Sequence, residues 1–150
     1  MRTLAIAWLV FMVAACGSGQ ASPSPSASGS PLAQASGKLG AEVAMPPGFP
    51  LDVPIYPKAR LTAAAGFPTG APTSWGMEWQ SLDSVAKVQA FYTDKMNQGD
   101  WTLTVNSTAN GDFKATFRRK SDASVQGTLA ANATSGVTKI LMSLVTPAAA

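Results

Sequence analysis

Hydrophobic and polar positions alternate along most of the second half of the chain. In Thr73–Gln80, period two puts Trp75, Met77 and Trp79 on one face and Gly76, Glu78 and Gln80 on the other, the pattern of a half-buried strand. Trp101, Leu103 and Val105 alternate with Thr102, Thr104 and Asn106, and Phe113, Ala115 and Phe117 with Lys114, Thr116 and Arg118. Val125, Gly127 and Leu129 form a shorter stripe. Val137–Val145 is apolar on both faces near its middle, as a central strand requires. Asn110-Gly111, Asp122 and Ser135-Gly136 supply the intervening turns. An earlier strand is predicted over Arg60–Phe67, closed by a turn at Pro68–Pro72.

In one stretch the period changes to that of a helix. Val85, Val88, Phe91, Tyr92 and Met96 fall within an arc of about 140°, with Lys87, Asp94 and Asn97 opposite. Ser84, or Asp83, is the N-cap and Gly99 the left-handed stop. Before the first strand, Pro47, Pro50, Pro54 and Pro57 forbid a helix, and Phe49, Leu51, Val53 and Ile55 alternate. This predicts an extended strip laid against the core. The fold class is α+β: a single antiparallel sheet with one amphipathic helix packed on it, over residues 48–147. The last three connections are too short for parallel crossovers.

Residues 16–47 read differently. Gly, Ser, Ala and Pro dominate, aromatic residues are absent, and only Lys38 and Glu42 are charged. Such a segment buries too little apolar surface to offset its ordering entropy, so a disordered tether is expected. As a coil its ~30 residues span on the order of 30 Å.

The chain opens on MRTLAIAWLVFMVAACG. Arg2 is followed by an uncharged apolar run that ends on Val13-Ala14-Ala15-Cys16. This resembles the lipobox of bacterial lipoproteins: a branched residue, two small ones, then Cys. The resemblance implies a signal peptide over residues 1–15, cleavage between Ala15 and Cys16, and diacylglyceryl (and further acyl) attachment at Cys16. The thiol suits that chemistry because its thiolate is a strong nucleophile. An uncleaved membrane helix is a poor alternative, since about 13 apolar residues reach roughly 20 Å against ~30 Å of hydrocarbon.

A second likeness lies further along. Phe49-Pro50, Ile55-Tyr56-Pro57, Phe91-Tyr92 and Gly99-Asp100-Trp101 resemble a small extracytoplasmic domain of bacterial lipoproteins whose function is unknown. In that pattern a Gly follows Tyr-Pro and Gly and Trp are adjacent. Lys58 and the inserted Asp100 depart from it. The resemblance implies no activity and no site.

Composition narrows the chemistry. Eleven Lys and Arg face eight Asp and Glu, a formal charge of +3, too slight to indicate nucleic acid. The chain has no His and one Cys. Imidazole triads, His metal ligands and intramolecular disulfides are therefore excluded, and no cofactor beyond the lipid and no metal is expected. Asp52, Asp83, Asp94, Asp100, Asp112 and Asp122 fall at turns or helix ends, where carboxylates cap. Glu78 stands mid-strand without a second acid at a spacing that glycoside hydrolysis would use. Gly-x-Ser-x-Gly, Ser-x-x-Lys and phosphate-binding glycine loops are missing. Lys114, Arg118 and Lys120 share the solvent face of one strand, with Arg119 between them. That face suits solvation, or contact with an anionic surface.

The expectation is a non-catalytic binding or accessory module on the extracytoplasmic face of a bacterial membrane. It is held there by lipid and has an envelope protein as partner. The alternative is a small-molecule carrier with Trp75, Trp79 and Trp101 as ligand-facing residues. An envelope hydrolase is a lesser alternative.

Overall fold

The computed structural model of the chain describes residues 37–68 and 72–147. Its elements are β1 (Arg60–Pro68), β2 (Thr73–Ser81), α1 (Val85–Lys95), β3 (Trp101–Ser107), β4 (Phe113–Arg119), β5 (Gln126–Thr134) and β6 (Val137–Thr146). They build one six-stranded sheet in the order β1-β2-β6-β5-β4-β3, with every neighbouring pair antiparallel. This is the α+β sheet-and-helix fold that the alternation predicts. β6, apolar on both faces, lies between β2 and β5.

The alternating residues decide which face is covered. Trp75, Met77 and Trp79 of β2, Ile140, Met142 and Leu144 of β6, Leu129 and Ala131 of β5, and Phe113, Ala115 and Phe117 of β4 are buried on the inner face. The helix α1 packs there on β3, β4 and β5. Its Val88 and Tyr92, and Met96 at its C-cap, are fully buried, Val88 and Met96 each contributing about 1.5–3 kcal/mol of apolar burial. The Ser84 hydroxyl accepts from the Lys87 N–H at 3.4 Å, and Gly99 takes the left-handed φ of +74° after the helix. Among the described residues no helix is long and apolar enough to cross a membrane.

The segment before β1 corrects two expectations. Residues 46–59 are not an extended strip but three successive turns. The N–H groups of Phe49, Val53 and Ala59 donate to the carbonyls of Pro46, Pro50 and Tyr56 at 3.3, 3.4 and 3.2 Å. Phe49, Val53 and Tyr56 are buried, while Leu51 is 97 % exposed and Ile55 39 %. The prolines cause this: Pro47 and Pro57 sit second in their turns, where a fixed φ near −65° is wanted. The third positions take positive φ, +83° at Gly48 and +62° at Lys58.

The ordered region also begins earlier than position 48. The Val43 N–H donates to the Leu61 carbonyl at 2.9 Å, and the Gly40 N–H to Gln80 Oε1 at 2.8 Å. Arg60 Nη1 returns a bond to the Gly40 carbonyl at 3.1 Å. Gly37 lies so close to the β5–β6 turn that a Cβ there would come within 2.7 Å of the Gly136 carbonyl oxygen. Residues 37–47, expected in the tether, therefore cross the end of the sheet and reach the edge of β1. Backbone bonding to side chains and to a strand edge holds them, and composition does not register that. Residues 1–36 and 69–71, with the signal peptide, Ala15, Cys16 and part of the first turn, lie outside the described residues.

Candidate functional site

The three candidate tryptophans all sit on the inner face, 7, 2 and 3 % exposed for Trp75, Trp79 and Trp101. Trp79 is packed within the core beside Phe49, ring centres 6.4 Å apart. Trp101 meets Phe117 edge to face at 5.7 Å, and its indole N–H donates to the Asp52 carbonyl at 3.2 Å. Among the described residues, Trp75 alone of the three lines an open cavity. That cavity holds about 370 Å³ and is lined by Pro46, Pro47, Gly48, Gly66, Thr73, Trp75, Thr146 and Pro147.

The cavity lies on the helix side of the sheet, at the end covered by the turns before β1. Gly66 in β1 is the register partner of Trp75 in β2, and a Cβ on Gly66 would stand 2.6 Å from Trp75 Cζ3. Only glycine lets the indole lie flat on the neighbouring strand. Phe49 meets the same ring edge to face at 5.7 Å. Thr73 and Thr146 face each other across β2 and β6, and Thr146 Oγ1 accepts from Trp75 Nε1 at 3.4 Å. The site is thus a rigid aromatic wall, a rim of prolines and two hydroxyls, with no ionisable group in its lining. Volume and polarity suit a small uncharged molecule. Sequence reasoning reached Trp75 and missed the rest of the lining. A glycine inside the β1 pattern was the one available signal.

Residues 37–40 lie over one end of the outer face, where Gly40 meets Gln80 and Gly37 meets the outward-facing Val137, 9 % exposed; beyond that end the face carries no layer among the described residues. Two shallow depressions of about 470 and 570 Å³ meet there at Thr128 and Ser143. Arg118 is the only charged residue lining the first and Glu78 the only one lining the second. Glu78 accepts from Thr62 at 3.2 Å and Gln80 at 3.0 Å and lies 3.9 Å from Lys139. Lys114 and Arg118 point to this face as expected. Lys120 does not: β4 ends at Arg119, and Lys120 Nζ donates to the Gly99 carbonyl at 2.7 Å.

Charged groups otherwise fasten loops. Asp100 accepts from the backbone N–H of Ser121 at 2.9 Å and from its hydroxyl. The Ser121 hydroxyl is the first cause of an Asp100 pKa held below the usual carboxylate value. Ser124 does the same for Asp122. Near the start of α1, Lys87 Nζ bonds Asp83 at 2.8 Å and Tyr56 donates to Asp83 at 3.1 Å. The Lys87 bond leads in lowering the Asp83 pKa. Burial, then the Asp83 contact, pushes the Tyr56 phenol up to about 12. Among the described residues no three Asp, Glu, His or Cys gather as metal ligands would.

A family model described as START domain-like matches residues 62–134. The matched stretch begins in β1 and ends at the close of β5, just under half of the chain. It takes in Trp75, Gly66, α1 and five strands, and leaves out β6 and the turns over the cavity. No curated protein and no solved structure matches the chain.

Proposed function

We propose that this chain is a small-molecule-binding domain tethered by lipid on Cys16 to the extracytoplasmic face of a bacterial membrane. The observation that carries the binding reading is the cavity beside Trp75. Its apolar walls are held rigid by prolines and a close glycine contact, so little ordering opposes binding. The START domain-like match over residues 62–134 supports the same reading. Like the cavity, it favours a carrier over an accessory subunit. At ~30 Å³ per heavy atom the cavity takes on the order of a dozen atoms. An uncharged, flat or short-chain molecule would stack on the indole and offer one polar atom to Thr73 or Thr146. The domain works by binding, and no residue is assigned a catalytic part.

The anchor rests on Val13-Ala14-Ala15-Cys16. Two acyl chains at ~0.8 kcal/mol per buried methylene hold a protein stably on a bilayer.

The binding test is titration of the anchored protein, in detergent, with the uncharged fluorophore 1-naphthylamine, following Trp emission. Saturable quenching that Thr73→Leu removes, with the urea midpoint unchanged, is expected. Quenching that persists in Thr73→Leu would sink the site. Separately, Cys16→Ala should abolish palmitate labelling and detergent-phase partitioning, and labelling that survives would overturn the anchor.

A further inference from the structure

The outer face of the sheet is ordered in rows that run across the strands. One row is Ala65, Gly76, Ser143, Thr128, Thr116 and Thr104, on β1, β2, β6, β5, β4 and β3 in turn. Nothing in it exceeds threonine in size. The next row places Glu78 on β2, Leu141 on β6, Ala130 on β5 and Lys114 on β4. On the other side stand Phe67, Ser74, Val145, Gln126, Arg118 and Thr102. Phe67 is 58 % exposed and Leu141 40 %, large values for apolar side chains, and both stand clear of the end that residues 37–40 cover.

We infer that this face is where two copies of the chain meet, sheet on sheet, about a two-fold axis parallel to the strands and midway between β5 and β6. The charges select that arrangement. The axis exchanges β5 with β6 and β4 with β2 and leaves each row facing itself. Lys114 of one copy then stands over Glu78 of the second, and Leu141 over the small Ala130, each twice. The pairing strands lie about 7 Å from the axis, and a crossing near −30° displaces them by only about 4 Å there. A lysine spans that offset. The other in-plane axis, across the strands, sets Arg118 over Lys114 with no carboxylate between them. It also sends the two Gly37 ends to opposite ends of the pair. The parallel axis keeps both at one end, as two chains held in one membrane need; this last point rests on the proposed anchor.

Size and shape agree. Six strands ~4.8 Å apart and three rows ~6.8 Å apart give a face of roughly 590 Å² per copy. Both copies together bury roughly 1,200 Å², a little beyond the ~1,000 Å² that a specific interface needs. The low central row lets the sheets approach the ordinary ~10 Å spacing, while Leu141, Phe67 and Val145 fill the gap. A foreign partner would give no reason for bump and hollow, cation and anion, to be placed symmetrically about the β5–β6 midline. Self-association does.

The test is the mass of the anchored protein, by light scattering in detergent, together with in-membrane crosslinking between co-expressed Ala130→Cys and Leu141→Cys chains, one cysteine on each. A dimer is expected. Lys114→Glu alone and Glu78→Lys alone should each weaken it at least tenfold, and the two together should restore it. Arg118→Ala, which sits over Ser74 of the second copy, should change it little. A monomer at 100 μM, a dimer indifferent to both single changes, failure of the pair to rescue, or a different protein crosslinked at these positions would each overturn the inference. Ligand binding at the Trp75 cavity is read separately, so either proposal can fail alone.

Discussion

The guanidinium of Arg119 lies 4.8 Å from the centre of the Trp101 ring, while its Nη2 pairs with Asp52 at 2.5 Å. Trp101 itself donates to the Asp52 backbone at 3.2 Å. One arginine thus ties the turns before β1 to the β3–β4 corner, 67 residues away in sequence. Asp100, 3.8 Å from Arg119 Nε, joins the same corner to the β4–β5 turn through Ser121. The residue that looked like an insertion before Trp101 is therefore a loop fastener.

Arg119→Met tests the strength of that tie, since it keeps the stem over the indole and removes the charge. A half-exposed carboxylate partner limits the ion pair to about 0.2–1 kcal/mol, and the cation–π contact adds about 0.5–2. A loss of roughly 1–2 kcal/mol in urea unfolding is expected, against less for Asp52→Asn. Equal losses would show that the indole contact contributes nothing.

Lys58 occupies a turn position whose φ of +62° suits glycine. A side chain there costs about 1–2 kcal/mol, part of which glycine returns through the greater freedom of its unfolded chain. Lys58→Gly should stabilise by about 0.5 kcal/mol and raise the Tm by about 2–4 °C. A lower Tm would mean that the Lys58 side chain holds a contact worth more than the strain.

Shortening the chain tests where order begins. A protein starting at residue 37 should unfold at the same urea concentration as the full mature chain. One starting at residue 48 loses the Gly40–Gln80 and Val43–Leu61 bonds and should lose about 1–2 kcal/mol. Matching midpoints for the two would return residues 37–47 to the tether.

Stability should fall at both extremes of pH. Asp83, Asp100 and Asp122 have pKa values below the reference of 3.8 in the folded state. Their contribution is present above pH 4 and is lost as acid protonates them. Tyr56 goes the other way: its folded value of about 12 exceeds the reference 10.0. Its contribution is whole below pH 10 and fades between 10 and 12. Urea midpoints at pH 9 and 11.5 should therefore diverge less in Tyr56→Phe than in the native chain. Tyr92, raised in the same direction by its burial, keeps the variant from becoming indifferent to alkali. An unchanged alkaline slope would remove Tyr56 from the account.

What could be read in the sequence was what local periodicity controls. Six strands, one helix, their turns at Asn110-Gly111 and Ser135-Gly136, and the inward set from Trp75 to Leu144 follow from spacing alone, because side-chain direction repeats every 2 or 3.6 residues. The central place of β6 followed from its two apolar faces. Tertiary structure alone decided the rest. Alternation at Phe49, Leu51, Val53 and Ile55 did not make a strand, because prolines at turn positions outrank period two. Gly40 and Val43 became ordered through backbone bonds to distant Gln80 and Leu61, which leave no mark in composition. Trp79 and Trp101 became core while Trp75 came to border a cavity, although all three stand at inward positions of alternating strands. The difference lies in what surrounds each ring: Phe49 packs on both Trp75 and Trp79 and the Arg119 corner closes over Trp101, while Pro46, Pro47 and Pro147 leave a space open beside Trp75.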